Sequence, residues 1–335
     1  MKHLALSPPV VRALIVTLVL ALVLVPWLPH IIYPVFVMKL LCFALFACAY
    51  NLLLGFGGIM SFGHAAFFGT AAYLTGLAVK HAGFTPEVGI LAGTAGAALL
   101  GAVIGALAIR RQGIYLAMIT LALAQMVYFV FLQLPFTGAE DGMQQIPRGR
   151  LFGVLDLRDD RAMYYVVLVL TLGGLALIHR VVHSPFGHVI MAIREHEPRA
   201  RSLGYPVERY KLVLFVLSAA LSGLAGSMKT LVFQLAALSD VSWHLSGDVV
   251  LMALLGGMQS VLGPAIGAAI VIGLQHYLDA FGGWVTLVTG LIFMTCVMSF
   301  RSGIAGVFAP RAPDDTQAPS RVTADNKPGE KHAPF

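Results

Sequence analysis

The chain has 335 residues, of which 58% are hydrophobic and only 11% charged, with a net charge of +6 and a mean hydropathy of +0.84. Soluble domains carry roughly 25% charged residues, so this balance excludes a soluble enzyme and points to a polytopic membrane protein. The excess positive charge is spread among loops without a basic stripe, which excludes a nucleic-acid surface. The cysteines Cys42, Cys48 and Cys296 lie in apolar runs without paired spacing and read as packing residues. Neither a metal site nor a cofactor is expected.

In chain order, the first apolar run covers 10–29, with Lys2 and Arg12 at its start. It is long, ends in Pro26-Trp27-Leu28-Pro29 and lacks a small-x-small cleavage site, so it reads as a retained first helix with its N-terminus in the cytoplasm. Further runs fall at 31–54, 62–80, 88–109, 114–134, 162–182, 208–232, 247–257, 262–278 and 284–300. Most of them reach the roughly 20 residues that a helix needs to cross about 30 Å of hydrocarbon. The fold class is therefore all-α, a polytopic bundle of about ten transmembrane segments. The short 247–257 run leaves open an alternative of eight crossings plus a re-entrant pair.

Lys and Arg set orientation, because cytoplasmic loops carry the excess. Arg110, Arg111, Arg180, Arg194, Arg199, Arg201, Arg209, Lys211 and Arg301 then fall inside, with both termini cytoplasmic. The 135–161 loop is the largest outer one, and its Gly138, Gly142, Pro147, Gly149 and Gly153 break any long helix. It reads either as a solvated connector or as a docking surface, with Leu151 to Leu157 forming a short hairpin or a surface-lying segment. After Arg301 the repeated prolines and sparse apolar content predict a disordered cytoplasmic tail over 305–335, leaving 1–304 as one transmembrane domain.

Two glycine interruptions mark a translocation path. Gly57-Gly58, followed by Ser61 and His64, would break a helix at membrane depth, where freed backbone groups must be buried in protein or face a cavity. Gly256-Gly257, followed by Ser260, echoes the same pattern and suggests duplicated halves. A freed helix N-terminus with Ser61 and His64 could receive a carboxylate, while a plain hydrogen bond from His64 to a neighbouring carbonyl is the blander alternative. Gly101 and Gly105, Gly263 and Gly267, and the Ser218 to Gly226 run supply close-packing faces. Lys39 and Lys229 sit where a long side chain can snorkel. No phosphate loop and no hydrolase or metalloprotease motif occurs, so the chain is not expected to be an enzyme, and any ATPase would be another chain.

Between the inner ends of two runs lies a charged island, His188 to Gly204, within a loop at 183–207. Pro185-Phe186-Gly187 closes the preceding span, one short helix covers His188 to His196, and Pro198 favours the first turn of a second. Gly204 followed by Pro206 is a stop signal. Glu195 with Arg199 and Glu197 with Arg201 stand at i,i+4 spacing. Helices this short need a partner to order them, which favours docking into a groove on another protein over a solvated linker.

The run AIREHEPRARSLGYPVERYKLVLFVLSAALSGLAG resembles the coupling loop and following helix of the permease subunits of branched-chain amino acid ATP-binding cassette importers, of LivM type. The stretches NLLLGFGGIMSFGHAAFFGTAAYLTGL, GIYLAMITLALAQMV, TGAEDGMQQIPR and LLGGMQSVLGPAIGAAI are similar to other segments of that family, so the likeness extends to about Gly306. It implies a bacterial inner-membrane protein that pairs with a LivH-type permease, two cytoplasmic ATPases and a periplasmic binding protein delivering leucine, isoleucine or valine. It also implies ATPase coupling through Arg194, Glu195, Glu197, Ala200 and Gly204. The chain departs from the family pattern at Pro198, Arg201 and Ser202. Relatives on the same scaffold carry urea, short amides or aromatic acids, and a stand-alone secondary carrier is the alternative of a different class.

Overall fold

The computed structural model describes residues 17–27, 33–153, 155–258 and 260–278, with positions 288, 290, 291 and 294 beyond them. Eleven helices are delimited among these: α1 (Thr17–Trp27), α2 (Pro34–Asn51), α3 (His64–Lys80), α4 (Pro86–Ala108), α5 (Ile114–Gln133), α6 (Asp160–Val182), α7 (Pro185–Glu195), α8 (Glu197–Ser202), α9 (Val207–Phe233), α10 (Trp243–Gly256) and α11 (Gly263–Leu278). Five of them, α2 with the turn that continues it to Phe56, α4, α5, α6 and α9, are long and apolar enough to cross a membrane. With α1, α10 and α11 also apolar but shorter, the described residues form an all-α membrane bundle. Apart from those four positions the expected segment at 284–300 lies outside the described residues, as do the expected tail at 305–335 and residues 1–16.

Helix α2 is the axis. Its most apolar window is 78% buried, against 22% for α5, and a helix that is apolar all round belongs inside such a bundle. It packs on α6, α9 and α11, while α3, α4 and α9 form a second tight group. Small residues permit that closeness: a Cβ on Gly226 would collide with the Phe68 carbonyl, and one on Gly101 with the Ala219 methyl. The expected small-residue faces on α4 and α9 are thus packing faces, since lipid supplies no hydrophobic drive between helices. Cys42 and Cys48 are buried on α2, as packing residues should be.

Hydrogen bonds sort the connectors into two ends. At the long-loop end, residues 134–159 lie down on the bundle rather than standing in solvent. Met143 and Ala236 exchange backbone bonds of 2.8 and 3.0 Å, and the Ile146 amide donates to the Gln234 carbonyl at 3.1 Å. Arg148 donates to the Leu231 and Val232 carbonyls at 3.2 and 2.8 Å and pairs with Asp160 at 2.6 Å. A cation is thereby set against the last carbonyls of α9, where the helix dipole is negative. Met143, Ile146 and Leu157 are buried, so this loop is packed on the end of the bundle and is more than a solvated connector. A hairpin, one of the two forms expected for this stretch, pairs Arg150–Leu151 with Leu155–Asp156.

At the short-helix end, α7 and α8 bend at His196. Ser184 caps α7 by accepting from the Gly187 amide at 3.3 Å, and Pro185 occupies the first turn. The preceding span therefore ends at Val182, and Pro185-Phe186-Gly187 begins the next helix rather than closing the last. Proline has no amide to lose at that position, which explains the correction. Gly204, at φ +84°, ends α8: its amide bonds to the Arg201 carbonyl at 3.0 Å and that of Tyr205 to the Ala200 carbonyl at 3.2 Å. Ile193, Ala200 and Val207 form a separate small core between these helices and α9.

Candidate functional site

The two glycine breaks meet. Helix α2 ends in a widened turn over Leu52–Phe56, closed by the Gly58 amide on Leu54 O and the Ile59 amide on Leu53 O, both at 3.1 Å. The second break, at Gly257 (φ +104°), separates α10 from α11 and lies against the first: Asn51 Nδ2 donates to the Ser260 carbonyl at 3.0 Å, and Gly55 abuts the Met258 carbonyl. The echoed serines hold equivalent places. Ser61 Oγ accepts from the Gly63 amide at 3.2 Å and Ser260 Oγ from the Gly263 amide at 2.7 Å, each just before the helix that follows. Gln259 lies outside the described residues.

Helix α3 does not present an open N-terminus. Thr120 of α5 accepts from the Phe62 amide at 3.1 Å, Ser61 from Gly63, and Ser246 of α10 from the Ala65 amide at 3.0 Å. Donors left over at a helix start need partners, and here hydroxyls from two other helices already supply them. The expectation that this terminus receives a carboxylate is therefore corrected. His64 is fully buried, with Nε2 at 2.9 Å from Ser218 Oγ. The single hydroxyl hydrogen of Ser218 goes to Ala49 O at 2.6 Å, so the imidazole Nε2–H donates to Ser218. The rings of Tyr50, Phe67 and Phe215 surround it at 4.8, 5.4 and 6.1 Å between centroids. His64 thus bonds a hydroxyl rather than the carbonyl first considered, and it knots α2, α3 and α9 together.

The short helices grip this same break. Arg194 donates through Nη1 to the Gly55 carbonyl, and its stem lies on Gly58, whose Cβ would come within 2.8 Å of Arg194 Cγ. Glycine at Gly58 (φ +65°) serves both the turn and this approach. Glu197 is a hub that faces the bundle: it accepts from Lys211 at 2.6 Å, Gln112 at 2.9 Å and Arg201 at 3.0 Å. Partial burial pushes its carboxyl up, but the hydrogen bonds and charges of Lys211 and Arg201 outweigh that and hold it below the usual carboxylate range. Of the two i,i+4 pairs expected, Glu197 with Arg201 forms; Glu195 and Arg199 sit on different helices across the bend, and no ion pair joins them.

Two hollows flank α7 and α8. One, of about 240 Å³, lies against the bundle between Gly57, Gly58, Arg111, Arg194, Glu197 and Lys211. The other, of about 390 Å³, faces away, between His188, Glu195, His196, Arg199, Leu203 and Tyr205. Leu203 is 68% exposed at its edge. Ala200 is buried in the small core and Gly204 terminates α8. The predicted coupling residues therefore divide: Arg194, Glu197 and Ala200 hold the short helices to the bundle, and Glu195 stands on the open face.

Sequence reasoning missed one charged group. Lys229, expected to snorkel, instead pairs inside the protein with Asp240 at 2.6 Å, with both residues less than a tenth exposed. The two are separated by a helix end and a turn, so no periodic spacing announces them.

A multi-pass helical bundle with a charged pair of surface helices wired to a broken core helix has the form of a membrane transport subunit. Residues 35–300 match the family described as the permease component of the branched-chain amino acid transport system, and the chain belongs to that family. It is 26% identical over 289 residues to the high-affinity branched-chain amino acid transport system permease protein LivM of Escherichia coli, covering 78% of this chain and 67% of that one. It is also 29% identical over 155 residues to the fructose import permease protein FruG of Bifidobacterium longum, covering 42% and 43%. A probable LivH of Methanocaldococcus jannaschii is 26% identical over 144 residues, or 40% and 42%. No solved structure matches the chain.

Proposed function

We propose that this chain is the LivM-type permease subunit of an ATP-driven importer that moves branched-chain amino acids through the bacterial inner membrane into the cytoplasm. In this reading residues 1–304 form the permease domain and 305–335 a cytoplasmic tail, and both termini lie inside. A LivH-type permease, two cytoplasmic ATPases and a periplasmic binding protein complete the machine. The observation that carries the reading is the grip of α7 and α8 on the bundle, through Arg194 on the α2 break and Glu197 on Lys211 of α9. A short amphipathic helix pair with one face wired inward and an open groove outward suits a handle moved by another protein. The 183–207 loop is then the coupling loop, with Glu195 and Leu203 turned toward an ATPase and Arg194, Glu197, Ala200 and Gly204 transmitting its motion.

Gly57, Gly58, Ser61, His64, Gly256, Gly257 and Ser260 border the moving part of the path in this proposal. Because Ser61, Ser260 and His64 Nε2 are already bonded within the protein, these residues shape and hinge it rather than hold cargo. The 135–161 loop is the periplasmic lid. The similarity to E. coli LivM over most of the chain supports branched-chain cargo. Reconstitution in liposomes with and without the ATPases and binding protein tests the reading. Leucine uptake that requires ATP and all partners is the expected result, and ATP-independent uptake by this chain alone would overturn it in favour of a secondary carrier.

A further inference from the structure

The buried pair of Lys229 and Asp240 lies directly beneath the lid. One turn before Lys229, Gly226 brings α9 onto the Phe68 carbonyl of α3. On the facing side of α3, Gly69 abuts the Asp240 backbone, and Gly76 abuts Met143 and Ile146 of the lid. Tyr73 stands between those two glycines on the same helical face. Its hydroxyl has no hydrogen-bond partner among the described residues, and the residue is 2% exposed. Asp240 uses a single oxygen, Oδ2, for both Lys229 at 2.6 Å and the Ala237 amide at 3.0 Å. Lys229 also lies over the Phe233 ring at 5.8 Å.

Resting on the amino acid import reading, we propose that Lys229, Asp240 and Tyr73 form a recognition site for the two charged ends of a free α-amino acid on the lid side of the permease. Ionisable side chains inside a membrane bundle are costly to bury and mark function by default. The chemistry fits a zwitterion. An amino acid carries ammonium and carboxylate on one carbon, through bonds of about 1.5 Å each, so opposite charges arrive a few ångströms apart, as the pair presents them. Inserting it between Lys229 and Asp240 replaces one ion pair by two and leaves the net charge at zero. The carboxylate takes Lys229, the ammonium takes Asp240 Oδ1, and the Tyr73 hydroxyl adds a hydrogen bond beside Asp240. A fatty acid or an amine would leave one of the two buried charges unmatched. Without cargo the two side chains satisfy each other.

The test uses the complete importer in liposomes, with loaded binding protein, ATP and radiolabelled leucine. Lys229→Met with Asp240→Asn should lower initial uptake by about tenfold or more, the scale of losing hydrogen bonds to charged groups. The reversed pair, Lys229→Asp with Asp240→Lys, restores attraction but inverts the polarity relative to Tyr73, so uptake should stay low. Unchanged uptake in the neutral double variant overturns the proposal, and so does recovery in the reversed pair, since a purely structural latch would be rescued. Tyr73→Phe serves even where the charge variants fail to assemble. A fall in uptake of about fivefold is expected for one hydrogen bond, and an unchanged rate would refute the site. Gly173→Ala, at a position with nothing within 4 Å, is the neutral control. Absence of leucine, isoleucine and valine uptake by the unaltered importer would defeat the import reading and this site with it, whereas wild-type uptake with insensitive variants defeats the site alone.

Discussion

The hub at Glu197 makes a quantitative prediction about the short helices. Replacing Glu197 by Gln removes the charge and keeps the shape. Its bond to Lys211 spans 2.6 Å between side chains only 12% and 18% exposed, so it is a charge-assisted bond worth about 1.5–3 kcal/mol. Its bonds to Arg201 and Gln112 are solvent-exposed and add about 0–1 kcal/mol. Local opening of α8 should therefore become easier by about 1.5–3 kcal/mol, or roughly 10–150-fold. Hydrogen exchange reads this directly at the Leu203, Gly204 and Tyr205 amides, which bond to the Arg199, Arg201 and Ala200 carbonyls. In a cycle with Lys211→Met, the second substitution should add little to the first. Exchange that changes less than about threefold, below the scale of one net hydrogen bond, would refute the idea that this carboxylate holds the helix pair to the bundle. If it holds, the same variant should hydrolyse more ATP per leucine imported.

The acid dependence of that contact follows from its sign. The folded Glu197 carboxyl is held below its ordinary value by Lys211 and Arg201, so its stabilisation is complete above the unfolded value of about 4.3 and is lost as pH falls through the folded value. After correction for intrinsic rates, protection of α8 should be flat from neutral pH down to that point, and loss near neutrality would contradict the contact. Gly226→Ala drives a methyl into the Phe68 carbonyl and should cost about 1–3 kcal/mol as overpacking. Gly173→Ala, with open space around it, should be neutral or stabilise by up to about 1 kcal/mol; melting temperatures in detergent separate the two. Arg148→Met leaves the Leu231 and Val232 carbonyls without their donor. The cost should be about 1–3 kcal/mol, seen as faster exchange at the Met143, Ile146 and Ala236 amides.

Much of the bundle is legible in the sequence because a bilayer imposes length and composition on each span. The runs expected at 162–182 and 208–232 correspond to Asp160–Val182 and Val207–Phe233, and even the short 247–257 run corresponds to an apolar helix, Trp243–Gly256. The stop at Gly204 was equally readable, since only glycine takes its backbone conformation cheaply. What escaped was every contact that depends on which helices become neighbours. Thr120, Ser218 and Ser246 are ordinary hydroxyls in apolar text, yet each supplies a bond that closes α3 or orients His64. The lid escaped because Met143 and Ile146 lie among glycines and charges, where alternation is too short to reveal a buried side. Ser184 before Pro185 did carry a readable cap signal, and it placed the start of α7 three residues ahead of the island at His188.

The hydrogen bonds also show how motion could travel under the proposed function. Arg194 binds the carbonyl of Gly55, and the chain runs only a few residues from there to the start of α3, where Thr120, Ser246 and Ser218 join α5, α10 and α9. Asn51, on the last turn of α2, ties in the second break at Ser260. A displacement of the short helices is thus applied where six helices share directional bonds, rather than along a face of apolar side chains that can slide. The opposite end is held along its length: a two-bond bridge at Met143 and Ala236, the Ile146 amide, Arg148 on two carbonyls and Lys80 on the Gln144 carbonyl fasten the lid. More directional bonds have to break to lift the lid than to part α7 from the α2 break, where Arg194 donates to the Gly55 carbonyl. A handle that shares one arginine bond with the break and a lid fastened by several therefore predict that the short-helix end is the first to shift when the bundle is driven between states.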